Sequence, residues 1–105
     1  MRIAFKMKIK AGVAEEYKQR HNPIWTDLKS VLFNHGITTY SIFLDHESGD
    51  LFAYAEIKDL AKWQEIAQTD VCQRWWHYMA PLMDVNEDKS PKTADLCEVF
   101  HIENK

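Results

Sequence analysis

Apolar and polar residues alternate strictly from Arg2 to Ile9. Ile3, Phe5, Met7 and Ile9 fall on one side, and Arg2, Ala4, Lys6 and Lys8 on the other. Successive side chains of a strand point to opposite faces, so this segment predicts a half-buried strand, with a turn at Gly12. From Val13 to His35 the period changes. Val13, Tyr17, Trp25, Leu28, Val31 and Leu32 recur at helical spacings, and Gly36 supplies a C-terminal stop. Pro23 lies inside this run, where it removes a backbone donor and crowds the preceding turn. One helix kinked near Asn22 is the expected outcome. The alternative is a second helix capped by Asn22, with Pro23 at its first position.

Thr38 to Asp45 and Leu51 to Ile57 predict two more strands, joined by the hairpin-like composition His46-Glu47-Ser48-Gly49-Asp50. The second strand is apolar on both sides: Leu51, Ala53, Ala55 and Ile57 on one, Phe52 and Tyr54 on the other. Each side therefore needs a cover. Asp59 to Gln68 carries a stripe of Leu60, Trp63, Ile66 and Ala67 and predicts a short helix. Asp70 is the expected cap of another helix, with Gln73 as its capping-box partner and Pro81 at its end. Asn86 to Lys92 is polar, contains Pro91 and predicts a loop; Asp95 to Ile102 alternates as a last strand. The order strand, helix, strand, strand, helix, strand is the α+β, ferredoxin-like (βαββαβ) arrangement. Its helices cover one face of the sheet. The doubly apolar strand then points to a homodimer whose sheets pack face to face.

The length of 105 residues suits a single domain spanning 1–105, with roughly 60–70% of its unfolded surface buried in one core. At 46% hydrophobic residues the composition argues against disorder. The net charge is −3, and Lys18, Arg20, Lys29, Lys58 and Lys62 are scattered among acids, which argues against nucleic acid as a partner. Cys72 and Cys97 are too sparse for a secreted disulfide framework, so Cys72, beside Val71, is expected as a buried free thiol. The lysine-interrupted start lacks the apolar stretch of a signal peptide, and no segment approaches the ~18 apolar residues of a membrane span. The expected location is the cytoplasm, with no membrane partner.

Trp75 and Trp76 are neighbours in a helical pattern. A helix turns about 100° per residue, so one core stripe does not easily hold both rings. One ring packed beside Val71 or Met79 with the other at an interface is one outcome. Indole rings set against the apolar C–H faces of a sugar are the other. Tyr17, His21 and Trp25 are four apart and share a face if the helix is continuous. They form either a core stripe with His21 at its edge, or a pocket wall in which His21 moves a proton. Tyr40, between Thr38 and Ile42, belongs to a strand and has the same two readings. His35, His46, His77 and His101 lack metal-ligand spacing, and there is no CxxC, HExxH, P-loop, GxGxxG or GxSxG motif.

Tyr17, the run His21-Asn22-Pro23-Ile24-Trp25, Tyr40, the run from Thr69 to Trp76, and Glu98-Val99-Phe100 together resemble the L-rhamnose mutarotase family, nearly end to end. The two long motifs, HNPIW and TDVCQRWW, are specific; His101 to Lys105 carries nothing assignable. The resemblance implies a dimeric α+β barrel and an isomerase of carbohydrate metabolism, interconverting the α and β anomers of L-rhamnopyranose. It implies His21 as proton donor, and Tyr17, Tyr40, Trp75 and Trp76 as sugar-binding residues. Neither a metal nor a cofactor is implied. Ring opening needs a proton on the ring oxygen and a base for the anomeric hydroxyl; the base, whether a second titrating residue, a tyrosine or water, is not identified. Ferredoxin-like dimeric barrels also host small monooxygenases and haem-degrading enzymes, so the fold alone leaves that alternative open. A non-catalytic sugar-binding or dimerisation module is the third reading.

Overall fold

The alternation at the start of the chain becomes strand β1, Arg2–Lys8. A computed structural model describes residues 1–104 and places β1 inside a four-stranded antiparallel sheet of order β2-β3-β1-β4. The other strands are β2 (Ile37–Leu44), β3 (Asp50–Ile57) and β4 (Ala94–Leu96). Four helices accompany them: α1 (Ala14–Arg20), α2 (Thr26–Asn34), α3 (Leu60–Glu65) and α4 (Asp70–Met79). The βαββαβ order expected from the pattern is present, with the first helical segment divided in two. Among the described residues no helix is long and apolar enough to cross a membrane.

Register explains which residues meet the helices. Ile3, Phe5 and Met7 stand opposite Ala55, Ala53 and Leu51, while Tyr40, Ile42 and Leu44 stand opposite the same three from the other side. Directly opposed residues share a face, so these side chains form one surface. Leu51, Ala53, Ala55 and Ile57 are almost wholly buried on it; Leu51 and Ala53 form one apolar cluster with Leu28, Val71, Trp75 and Met79 of α2 and α4, and Ala55 and Ile57 form a second with Ile37, Ile66 and Cys72. The opposite face carries Phe43 directly across from Phe52, exposed at 67% and 39%.

Four local expectations are corrected. Val13 to His35 is not one kinked helix. Asn22 precedes proline, which disfavours helical backbone at that position. The chain leaves α1 after Arg20, and the orphan carbonyls find local donors. Asn22 Nδ2 donates to the Lys18 carbonyl at 2.8 Å, and the Asn22 amide donates to Gln19. The Asn22–Pro23 peptide is cis, and α2 starts only at Thr26, after Trp25. It stops where predicted, because Gly36 adopts a φ of +91° just beyond it.

The cap of α4 is Thr69 rather than Asp70. The Thr69 hydroxyl accepts from the Cys72 amide at 3.3 Å, while the Asp70 carboxylate pairs with Arg74 and the Gln73 amide donates to the Ala67 carbonyl. The last strand ends at Leu96 instead of continuing to Ile102. Leu96 opposes Ala4 in an antiparallel ladder, so β1 runs out of partners two residues later. Glu98 ends there against Arg2 at 2.9 Å, and Val99, Phe100 and Ile102 are exposed. Leu60, placed in the core stripe of α3, is also exposed.

Candidate functional site

Two arginines tie the helices that surround the proposed residues. Arg20, at the end of α1, pairs with Glu16, donates to the Tyr78 carbonyl and lies 4.3 Å from the Tyr78 ring centroid. Arg74 on α4 pairs with Asp70 and reaches Asp27 of α2 at 3.2 Å. Such exposed pairs contribute little energy individually, yet together they join α1 and α2 to α4 on either side of Trp75.

Between these helices and the sheet lies an open cavity of about 1540 Å³. It is larger than the ~300–1,000 Å³ usual for small-ligand sites. All five residues singled out above line it: Tyr17, His21, Tyr40, Trp75 and Trp76. Tyr17 comes from the buried face of α1, and His21 is the residue on which that helix closes. Their rings lie 4.5 Å apart, and the His21 ring meets Trp75 edge to face at 5.1 Å.

The indole pair divides as helical geometry requires. Trp75 is 9% exposed and touches Trp25 and Tyr78 as well as His21, whereas Trp76 is half-buried and packs at the edge of both apolar clusters. Trp25 does not join the cavity wall. The break after Arg20 turns its ring toward Trp75 and Tyr78.

Burial sets the protonation behaviour of the site. The Tyr17 and Tyr40 hydroxyls are pushed well above their ordinary value by desolvation, so both stay protonated and can donate. Desolvation moves His21 below the usual histidine value, against the opposing effect of a backbone hydrogen bond. That bond joins Nδ1 to the Tyr17 carbonyl oxygen at 2.8 Å. A carbonyl only accepts, so Nδ1 carries the hydrogen and Nε2 of the neutral ring presents a lone pair. The Cys72 thiol, also on the cavity wall, is raised to about 11 by burial and remains protonated. Among the described residues no three histidine, cysteine or acidic side chains come together as a metal site.

Further aromatic side chains of the cavity did not stand out in the chain. Phe5 of β1 and Trp63 of α3 lie 5.9 Å apart, and Tyr40 is 6.4 Å from the first and 5.9 Å from the second. Their spacing alone predicts only members of apolar stripes facing the core.

A ferredoxin-like α+β domain with an aromatic cavity and a half-buried histidine on its wall defines the class. An antibiotic biosynthesis monooxygenase shares the fold with a TM-score of 0.61 at 13% identity, over 93% of this chain and 97% of that one. That likeness extends to the fold alone. A sequence profile described as L-rhamnose mutarotase matches residues 2–102. The chain belongs to the L-rhamnose mutarotase family. It is 50% identical to the L-rhamnose mutarotase of Opitutus terrae over 98% of its length and 99% of that protein's. The crystal structure of the L-rhamnose mutarotase of Formosa agariphila superposes with a TM-score of 0.88 at 41% identity, covering 98% of this chain and 99% of that one.

Proposed function

We propose that this protein is an isomerase that interconverts the α and β anomers of L-rhamnopyranose, with His21 moving the proton. The observation that supports this role for His21 is its fixed tautomer. Nδ1 is engaged by the carbonyl of its own helix, so Nε2 is left to act within the cavity. The neutral ring takes the proton of the anomeric hydroxyl. As imidazolium it then donates that proton to the ring oxygen while the C1–O5 bond breaks. Rotation about C1–C2 and the reverse transfers close the other anomer. One histidine serves as base and then as donor, because both sugar oxygens are bonded to C1.

Tyr17 and Tyr40, held neutral, orient hydroxyls by donation, and Trp76 and the cavity side of Trp75 offer apolar surface and N–H groups. The working unit is a homodimer closed across the Phe43–Phe52 face, consistent with two exposed rings paired on an open sheet. Two cysteines left as free thiols accord with action in the cytoplasm.

Anomer exchange of L-rhamnose, followed by NMR, tests this reading. Wild type accelerates exchange, and His21→Ala loses about 10²–10⁴-fold of that acceleration. Equal rates for the two proteins remove His21 from the mechanism. Binding without acceleration by wild type leaves a sugar-binding module instead.

A further inference from the structure

The part of the cavity wall formed by Phe5, Tyr40 and Trp63 has a charged neighbour. Asp95, in the middle of β4, stands directly opposite Phe5 in the antiparallel ladder. Opposed residues leave the sheet on the same face, so Asp95 rises beside Phe5 on the helix-covered side, and it lines the cavity. Phe5 in turn contacts Tyr40 and Trp63. The Asp95 carboxylate is exposed and has no hydrogen-bond or ion-pair partner among the described residues. The other acid on the wall, Glu15, sits in the first turn of α1, where the helix dipole already favours it.

We propose that Asp95 grips two neighbouring hydroxyls of the bound sugar, with Phe5 and Trp63 as the apolar wall beside it. This rests on the mutarotase reading of the cavity. A carboxylate is purely an acceptor with two oxygens, a match for the donors of a vicinal diol, while aromatic faces suit the C–H surface between them. Every other polar group assigned to the site, His21, Tyr17, Tyr40 and the indole N–H groups, donates in at least one step. With the O5–C1 bond turned toward His21, the hydroxyls across the ring are those on C3 and C4. These are the pair assigned to Asp95.

Dissociation constants read from indole fluorescence test the assignment for wild type, Asp95→Asn and Asp95→Ala with L-rhamnose and its 3-deoxy and 4-deoxy analogues. Asp95→Ala weakens L-rhamnose by about 10–100-fold, the range for hydrogen bonds to a charged group, and Asp95→Asn by less. At least one deoxy analogue loses much less than L-rhamnose does, because the hydroxyl in question is already gone. Asp95→Asn keeps the shape of the side chain and carries the test if the alanine variant unfolds. Unchanged L-rhamnose affinity, within about twofold, overturns the proposal. So does an equal loss for all three sugars, which is the mark of a structural role. Wild type that binds L-rhamnose without accelerating anomer exchange overturns the mutarotase reading alone; wild type that does not bind it overturns both.

Discussion

Trp75→Ala and Trp76→Ala, though adjacent, should fail in different ways. Trp75 is 9% exposed and contacts three rings, those of His21, Trp25 and Tyr78, at centroid distances of 5.1, 5.1 and 5.6 Å. A buried indole removes about 150–250 Å² from water, which at ~25 cal/mol per Å² amounts to ~4–6 kcal/mol. Partial collapse of the space left behind brings the expected loss to ~3–5 kcal/mol. Against a total stability of ~5–15 kcal/mol, that leaves a marginal fold. Trp76 is half-buried at the cavity edge, so its removal should cost ~1–2 kcal/mol and act mainly on sugar affinity. Urea unfolding followed by far-ultraviolet circular dichroism measures the first effect, and L-rhamnose titration of the folded variants the second. A stability loss for Trp75→Ala no greater than that for Trp76→Ala would refute this division between packing and binding.

Three further outcomes follow from the structure. Because burial holds His21 below the ordinary histidine value of ~6.5, the acid limb of kcat/KM should lie below that pH, and a limb at or above it contradicts a desolvated base. The sign for stability agrees: the unfolded chain binds the His21 proton more readily, so this contribution is complete above ~6.5 and is lost as pH falls through the folded value, a slope that His21→Gln should remove. Phe52→Glu, on the outer sheet face, should reduce the sedimenting species from a dimer to the 12.4 kDa chain; an unchanged dimer mass excludes this face as the interface.

Much of the fold was legible because the central strands β1 and β3 turn one face toward the helices. Arg2 to Ile9 shows that period of two, and Leu51 to Ile57, though apolar on both sides, also fell within a residue of the observed strand. The break at His21–Trp25 was harder to read, since proline permits either a kink or a new start, and the outcome depended on local carbonyls finding Asn22. The end of β4 depended on the length of β1, which no property of Asp95 to Ile102 encodes. Tyr17, His21, Tyr40 and the tryptophan pair could be picked out through their motifs, and all five reach one cavity. Phe5, Trp63 and Asp95 could not, because sheet register joins Phe5 to Asp95 and the packing of α3 brings Trp63 onto Phe5, from three distant parts of the chain.

The hydrogen bond from His21 Nδ1 to the Tyr17 carbonyl has a genetic consequence. Many proton-transferring histidines are oriented by a carboxylate, and one point mutation in that carboxylate undoes the arrangement. Here the orienting atom is a peptide oxygen, which every codon specifies. A saturation library over the surrounding side chains should therefore contain no variant that releases the imidazole by deleting its partner. Only changes that move the backbone of the last turn of α1, proline substitutions above all, can turn the ring.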